Sequence, residues 1–272
     1  FFKYPSFFDF DQNNNSRVID ENIKTIFNEG LKAYSEEKVT QLMENYSKSI
    51  TTENKQKIYN FEENEFIQLK NFYSKEDSML YLVIHVDSFY LFWIKKFNLP
   101  KNEYEKNREI EFVKNYSHRC INRFYGFVRD IHYKISGLVY EFNSNGSLSD
   151  FFKKTNKISA LFPFITMIRI FSGIKYLHSN NLIHRDLKPG NILINHDFVP
   201  FISDFETIRN LEKESLNPIF TNDIGSNYYV SPEQYCGNIV SYPTDIYSFG
   251  CIIYFLFEKK DPLAVDLKIK NE

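Results

Sequence analysis

The chain has 272 residues, 43% of them hydrophobic and 18% aromatic, with a formal net charge of −2 at pH 7. That is apolar material enough for one large domain, or for a two-lobed one plus an extension. The near-neutral balance gives no electrostatic basis for binding nucleic acid or a membrane surface. The longest apolar run, Tyr247 to Phe257, falls short of the roughly 20 residues a membrane span needs. No cationic leader precedes an apolar stretch at the start. The three cysteines, Cys120, Cys236 and Cys251, show no metal spacing and read as free thiols, each a buried small apolar residue. A cytoplasmic protein is the expectation, and the opening Phe1 in place of Met suggests a piece of a longer product.

Residues 1–15 read as an irregular aromatic arm. From Ser16, Ile19, Ile23, Ile26, Phe27, Leu31 and Tyr34 recur at three- and four-residue steps, and Val39, Leu42, Met43, Tyr46 and Ile50 repeat the pattern. These are two amphipathic helices, which either dock on the next domain or bind a partner. Asn60 to Glu65 reads as a polar linker. Met79–Ile84 and Phe89–Ile94 are β-rich apolar runs, the second ended by Lys95-Lys96. A helix is expected over Glu103–Tyr116, then strands near Phe124–Val128 and Ile135–Phe142. Asn143 to Ser147 breaks the pattern. Leu148–Lys153 and Phe162–His178 read as helices, and the run from Phe249 to Phe257 as a helix buried on all sides. Strands with one helix, followed by a mainly helical half, make an α+β, two-lobed arrangement.

Between these elements, His184-Arg185-Asp186-Leu187-Lys188-Pro189-Gly190-Asn191 places a carboxylate, an ammonium and an amide within six positions. They are too close to share a helix face, so they read as a loop converging on one small volume, followed by a short strand at Ile192–Ile194. This segment resembles the catalytic loop of eukaryotic protein kinases, H-R-D-L-x-x-x-N. The resemblance extends from Phe66 onward. Lys95 stands where the family has the lysine of V-A-I-K, and Glu109 where it has the helix-borne glutamate that pairs with it; Glu105 and Glu111 are the alternatives. Glu141-Phe142 and the following Asn145-Gly146-Ser147 resemble the hinge between lobes, with Tyr140 behind the adenine. Ser203-Asp204-Phe205-Glu206 stands for D-F-G and Ser231-Pro232-Glu233 for A-P-E. Asp245 resembles the aspartate that holds the catalytic loop's backbone.

What the resemblance implies is a protein kinase-like fold of the Ser/Thr type with a tyrosine-kinase-like flavour. A 1–60 arm and helical extension would precede a β-rich N-lobe at 61–142 and a mainly helical, incomplete C-lobe at 143–272. It implies ATP and Mg2+ as cofactors and a protein with Ser or Thr as substrate. Asp186 would accept the substrate's proton, Lys188 would neutralise the transferring phosphate, and Asn191 and Asp204 would hold metal. Lys95, Glu109, Leu80, Glu141, Phe142 and Leu193 would bind ATP. Arg185 would receive a phosphate from the activation segment, with Thr221 and Ser215 as phosphosite candidates and Ser226 steadying the Asp186–Lys188 pair.

The departures lie on the nucleotide side. The G-x-G-x-x-G-x-V position falls on Tyr73–Leu80 without one glycine, and Glu76 and Asp77 add negative charge there. Trp93 replaces the small ceiling residue over adenine, and Glu206 replaces the glycine of D-F-G. Glu233 is expected to be a buried carboxylate without its arginine. Two functions stay open: a Ser/Thr protein kinase, and a pseudokinase scaffold with weak or no ATP binding. A small-molecule kinase of the same fold is disfavoured by Ser231-Pro232-Glu233 and by Gly225-Ser226, which resemble a peptide-substrate platform.

Overall fold

A computed structural model describes residues 57–74, 78–97, 103–155, 158–212, 228–237 and 240–262. The N-terminal helices, Lys75 to Asp77, and Ser215, Thr221, Gly225 and Ser226 lie outside them.

The first half forms a six-stranded sheet ordered β1-β5-β6-β4-β3-β2. Its strands are β1 (Tyr59–Glu62), β2 (Phe66–Ser74), β3 (Ser78–His85), β4 (Leu91–Phe97), β5 (Phe124–Arg129) and β6 (Ile135–Glu141). All neighbours are antiparallel except β1, which pairs in parallel with β5. The segment read as a polar linker therefore begins with a strand and continues as a 3-10 turn, Glu63–Glu65. Gly126 makes room for that strand, because a Cβ there would lie 2.2 Å from the Tyr59 carbonyl oxygen. The β4 strand also starts later than expected. Phe89 has φ 58 and is 76% exposed, so it belongs to the turn and not to the apolar run. At the other end β4 runs past Lys95-Lys96 to Phe97, because both lysines keep their ladder partners on β3 and β6.

Register decides what faces the cleft. Across β3, β4 and β6, Lys95 pairs with Leu80 on one side and Leu138 on the other, and Trp93 with Leu82 and Tyr140. Side chains alternate between faces along a strand, so these residues share one face. Helix α1 (Glu103–Asn115) supplies Ile110, Phe112 and Val113 to the same core as Leu138 and Tyr140.

The second half is mainly helical. Gly146, at φ 72, closes the turn after β6, and Ser147 then caps α2 (Leu148–Lys154) by accepting the Asp150 N–H. Helix α3 (Phe162–Ser179) packs on α5 (Tyr242–Glu258). Between them lie short strand pairs, β7 (Leu182–Ile183) with β10 (Arg209–Asn210), and β8 (Ile192–Ile194) with β9 (Pro200–Ile202). A one-turn helix, α4 (Pro232–Tyr235), precedes α5. Contrary to expectation, α5 is not covered all round among the described residues: Ile246, Tyr254 and Phe257 are 45, 45 and 49% exposed. Its buried side, with Asp245, Ser248, Ile252 and Leu256, does the anchoring. Nor are all three cysteines buried; Cys120 is, Cys251 is half-buried and Cys236 is exposed. Among the described residues no helix is long and apolar enough to cross a membrane.

Candidate active site

The loop between β7 and β8 is fixed by a carboxylate at its root. Asp245, fully buried, accepts the backbone N–H groups of His184 (2.9 Å) and Arg185 (2.9 Å), and His178 Nε2–H at 2.9 Å. Arg185 has φ 71, a left-handed conformation that costs a non-glycine residue about 1–3 kcal/mol. Bonds to both sides of that residue oppose the cost, since Gln234 Nε2 donates to its carbonyl at 3.0 Å. His184 is set as the Nε2–H tautomer, because Nε2 meets the Ser203 carbonyl at 3.0 Å while Nδ1 receives the Asp186 N–H at 3.3 Å.

On this base the three polar groups converge. Lys188 Nζ donates to both oxygens of Asp186, at 2.9 and 2.7 Å. Asn191 Nδ2 donates to the Asp186 carbonyl at 2.7 Å and to its Oδ2 at 2.9 Å. With the amide nitrogen so used, the Asn191 side-chain oxygen, Oδ1, is the end that can face a cation. Asp186 and Lys188 keep about a third of their side-chain surface open, so an incoming hydroxyl can reach them.

Across the cleft, Lys95 Nζ lies 2.7 Å from Glu109 Oε2, 2.7 Å from Glu206 Oε1 and 3.6 Å from Asp204 Oδ1. Glu109 is 1% exposed, and Glu111 is exposed, so of these two Glu109 is the partner. Burial works against the Lys95 charge, but Glu109, Asp204 and Glu206 more than reverse it, and the ammonium is held protonated well above its ordinary range. Glu109 is pushed up as well, first by burial and then by Asp204 and Glu206, with Lys95 opposing. Its second oxygen accepts the Tyr140 hydroxyl at 2.9 Å.

Asp204 stands at φ 62, and Phe205 is stacked on Phe112 of α1 at 4.2 Å between ring centroids and meets the edge of His184 at 5.2 Å. Glu206 does not have a positive φ, so the side chain that replaces glycine brings no left-handed strain with it. At the hinge, the Trp93 ring lies tilted against Phe142 at 5.4 Å. Asn143 Nδ2 donates to the Glu141 carbonyl (3.0 Å) and to Asn122 Oδ1 (2.8 Å). Leu80 and Leu193 are half-buried, the latter bridged to Ser147.

Glu233 corrects an expectation. It is only half-buried and accepts the Thr244 hydroxyl at 2.8 Å. Burial would raise its pKa, but bonds from its own backbone N–H, Thr244 and Ser231 prevail and lower it. The start of a short helix supplies what a guanidinium was expected to supply.

This is a cleft with a buried, carboxylate-paired ammonium on one wall and an orienting carboxylate–lysine–amide loop on the other. Residues 76–271 match the family model for the protein kinase domain. The chain belongs to the protein kinase family. Serine/threonine-protein kinase PKH2 of Candida albicans is 37% identical over 135 residues, which are 46% of this chain and 14% of that one. A receptor-like serine/threonine-protein kinase of Arabidopsis thaliana is 29% identical over 182 residues, 65% of this chain and 50% of that one. Mitogen-activated protein kinase kinase kinase 3 of Mus musculus is 30% identical over 157 residues, 57% of this chain and 25% of that one. The chain thus spans half or less of the length of these kinases.

Within the kinase frame, the groups that sequence reasoning missed are the Tyr140 hydroxyl on Glu109 and the Asn143 amide on the hinge carbonyl. Tyr140 stands out in sequence only by its bulk. Asn143, two residues after Glu141, gives no sign there of its buried partner Asn122. The residues fit the family's cofactors in chemistry: a buried ammonium suits phosphate, and the oxygens of Asn191 and Asp204 suit a hard divalent cation.

Proposed function

We propose that this domain is a Ser/Thr protein kinase that transfers the γ-phosphate of ATP to a protein hydroxyl. The observation that supports it best is the Asp186–Lys188–Asn191 triangle on a loop clamped by Asp245. Bound MgATP would supply the phosphoryl group. Asp186 then takes the proton of the substrate hydroxyl, and Lys188 holds the carboxylate in place and carries positive charge to the transferring group. Asn191 and Asp204 would hold the metal through their oxygens, and Lys95, held by Glu109, would meet the phosphates. Each group here positions or neutralises, which is most of what phosphoryl transfer asks of a protein.

Incubated with MgATP and a mixed Ser/Thr peptide substrate, the full chain transfers phosphate, and Asp186→Asn lowers the rate by at least about a hundredfold without changing the melting temperature. Equal rates for the two proteins would end the enzyme reading. A second reading, a pseudokinase scaffold, is favoured by the crowding of the nucleotide side: Trp93 against Phe142 and Glu206 on Lys95. It expects no transfer and weak nucleotide binding from both proteins.

A further inference from the structure

The Glu206 carboxylate does more than replace a glycine. Its Oε1 is as close to Lys95 as the helix-borne Glu109 is, both at 2.7 Å. It also stands on a fixed base, since Arg108 of α1 donates through Nη2 to the Glu206 carbonyl at 3.4 Å. The same helix therefore carries Glu109 on one side of Lys95 and steadies the backbone that brings Glu206 to the other. The centre of this cluster is the Lys95 ammonium. One positive charge faces three negative ones, Glu109, Asp204 and Glu206. The ammonium has three N–H donors, and two short ion pairs already engage it.

From this geometry we infer that Glu206 is an internal competitor for the nucleotide's phosphates: its carboxylate holds Lys95 in the place of a phosphate oxygen, and a nucleotide binds only by displacing it. The inference rests on the kinase reading for the identity of the ligand. It adds a chain-borne anion that sets how tightly nucleotide is held. Glu206 has no positive φ and its side chain is 23% exposed, so it can swing to solvent when displaced. Displacement costs an ion pair, and the leaving carboxylate keeps its charge near the polyphosphate. Both effects weaken binding, and the second weakens it most when no divalent cation accompanies the nucleotide.

The test is calorimetric titration of ADP into the full chain and into Glu206→Gln, in EDTA and again in excess Mg2+, with Glu206→Ala as a second variant should the first not fold. The removed carboxylate predicts at least about tenfold tighter ADP in EDTA, about 1.4 kcal/mol, and a smaller gain in the same direction with Mg2+. Equal affinities would overturn the inference. So would tighter binding in EDTA combined with weaker binding in Mg2+, which would make Glu206 a metal ligand. Phosphotransfer measured beside Asp186→Asn separates the two readings. Transfer without any gain in affinity sinks the competitor and leaves the kinase standing. A gain in affinity with no transfer sinks the kinase and leaves the competitor.

Discussion

Trp93 and Lys95 are two residues apart on β4 and face the same side of the sheet, so the indole hangs over the cleft that the ammonium serves. It rests against Phe142 at the hinge, next to a carbonyl already taken by Asn143. A bulky ring there crowds an incoming base, an overpacking worth about 1–3 kcal/mol. Trp93→Ala removes that crowding, and ADP binding should tighten by roughly ten- to a hundredfold. The protein itself should lose about 1–3 kcal/mol, less than a fully buried Trp would cost, because the ring is half-buried. Thermal shift with saturating Mg-ADP reads both effects; a shift no larger than that of the unsubstituted chain would show that the indole leaves the base its room. At this scale the charged residues were legible in sequence. Lys95 and Glu109 were recognisable through the resemblance to the kinase pattern, which left Glu105 and Glu111 as alternatives. Where the Glu206 side chain goes was not legible, because that depends on a rotamer chosen in an assembled cleft.

Strand β1 shows how an element escapes a local reading. Its four residues, Tyr-Asn-Phe-Glu, are too short for alternation to stand out, and its partner β5 lies more than sixty residues further on. The trace it left in sequence is at the partner: Gly126 in an otherwise bulky strand, where a side chain would strike the Tyr59 carbonyl. Gly126→Ala sets a methyl group 2.2 Å from a backbone oxygen, with Tyr59 C and Phe61 Cε2 within 2.9 Å. Backbone must move, and β1 is the edge strand free to move. The expected loss is about 1–3 kcal/mol, together with faster amide hydrogen exchange in Tyr59–Glu62 but not in β3 or β4. Unchanged exchange in β1 would mean that β5 gives way instead. The longer elements, such as α3, were readable because their period repeats over several turns and needs no distant partner.

At the scale of the molecule, the two lobes meet electrostatically at Lys95, an N-lobe ammonium between Glu109 of α1 and the C-lobe pair Asp204 and Glu206. The two-lobed fold could be read from strands preceding helices, but the strength of this junction could not, since it is a property of the assembled cleft. Lys95→Met leaves three carboxylates facing one another, and breaking a buried pair in this way costs about 3–5 kcal/mol. The pH dependence carries the proof. Glu109 is already pushed up by burial, then by Asp204 and Glu206, and Lys95 is what opposes the rise. Without the lysine the folded-state pKa climbs further. A carboxyl whose folded pKa exceeds its unfolded value, about 4.3, favours folding while protonated. Its contribution is lost as pH rises from the unfolded value through the folded one, at up to about 1.4 kcal/mol per pH unit for one proton. The deficit of Lys95→Met against the unsubstituted chain, read from urea unfolding, should therefore grow as pH rises above the unfolded carboxyl value and shrink as pH is lowered toward it. Titrations common to both proteins cancel in that difference. A deficit that stays constant across the range would mean that the carboxylates separate once the lysine is gone, and that the ammonium fills space at the junction more than it balances charge.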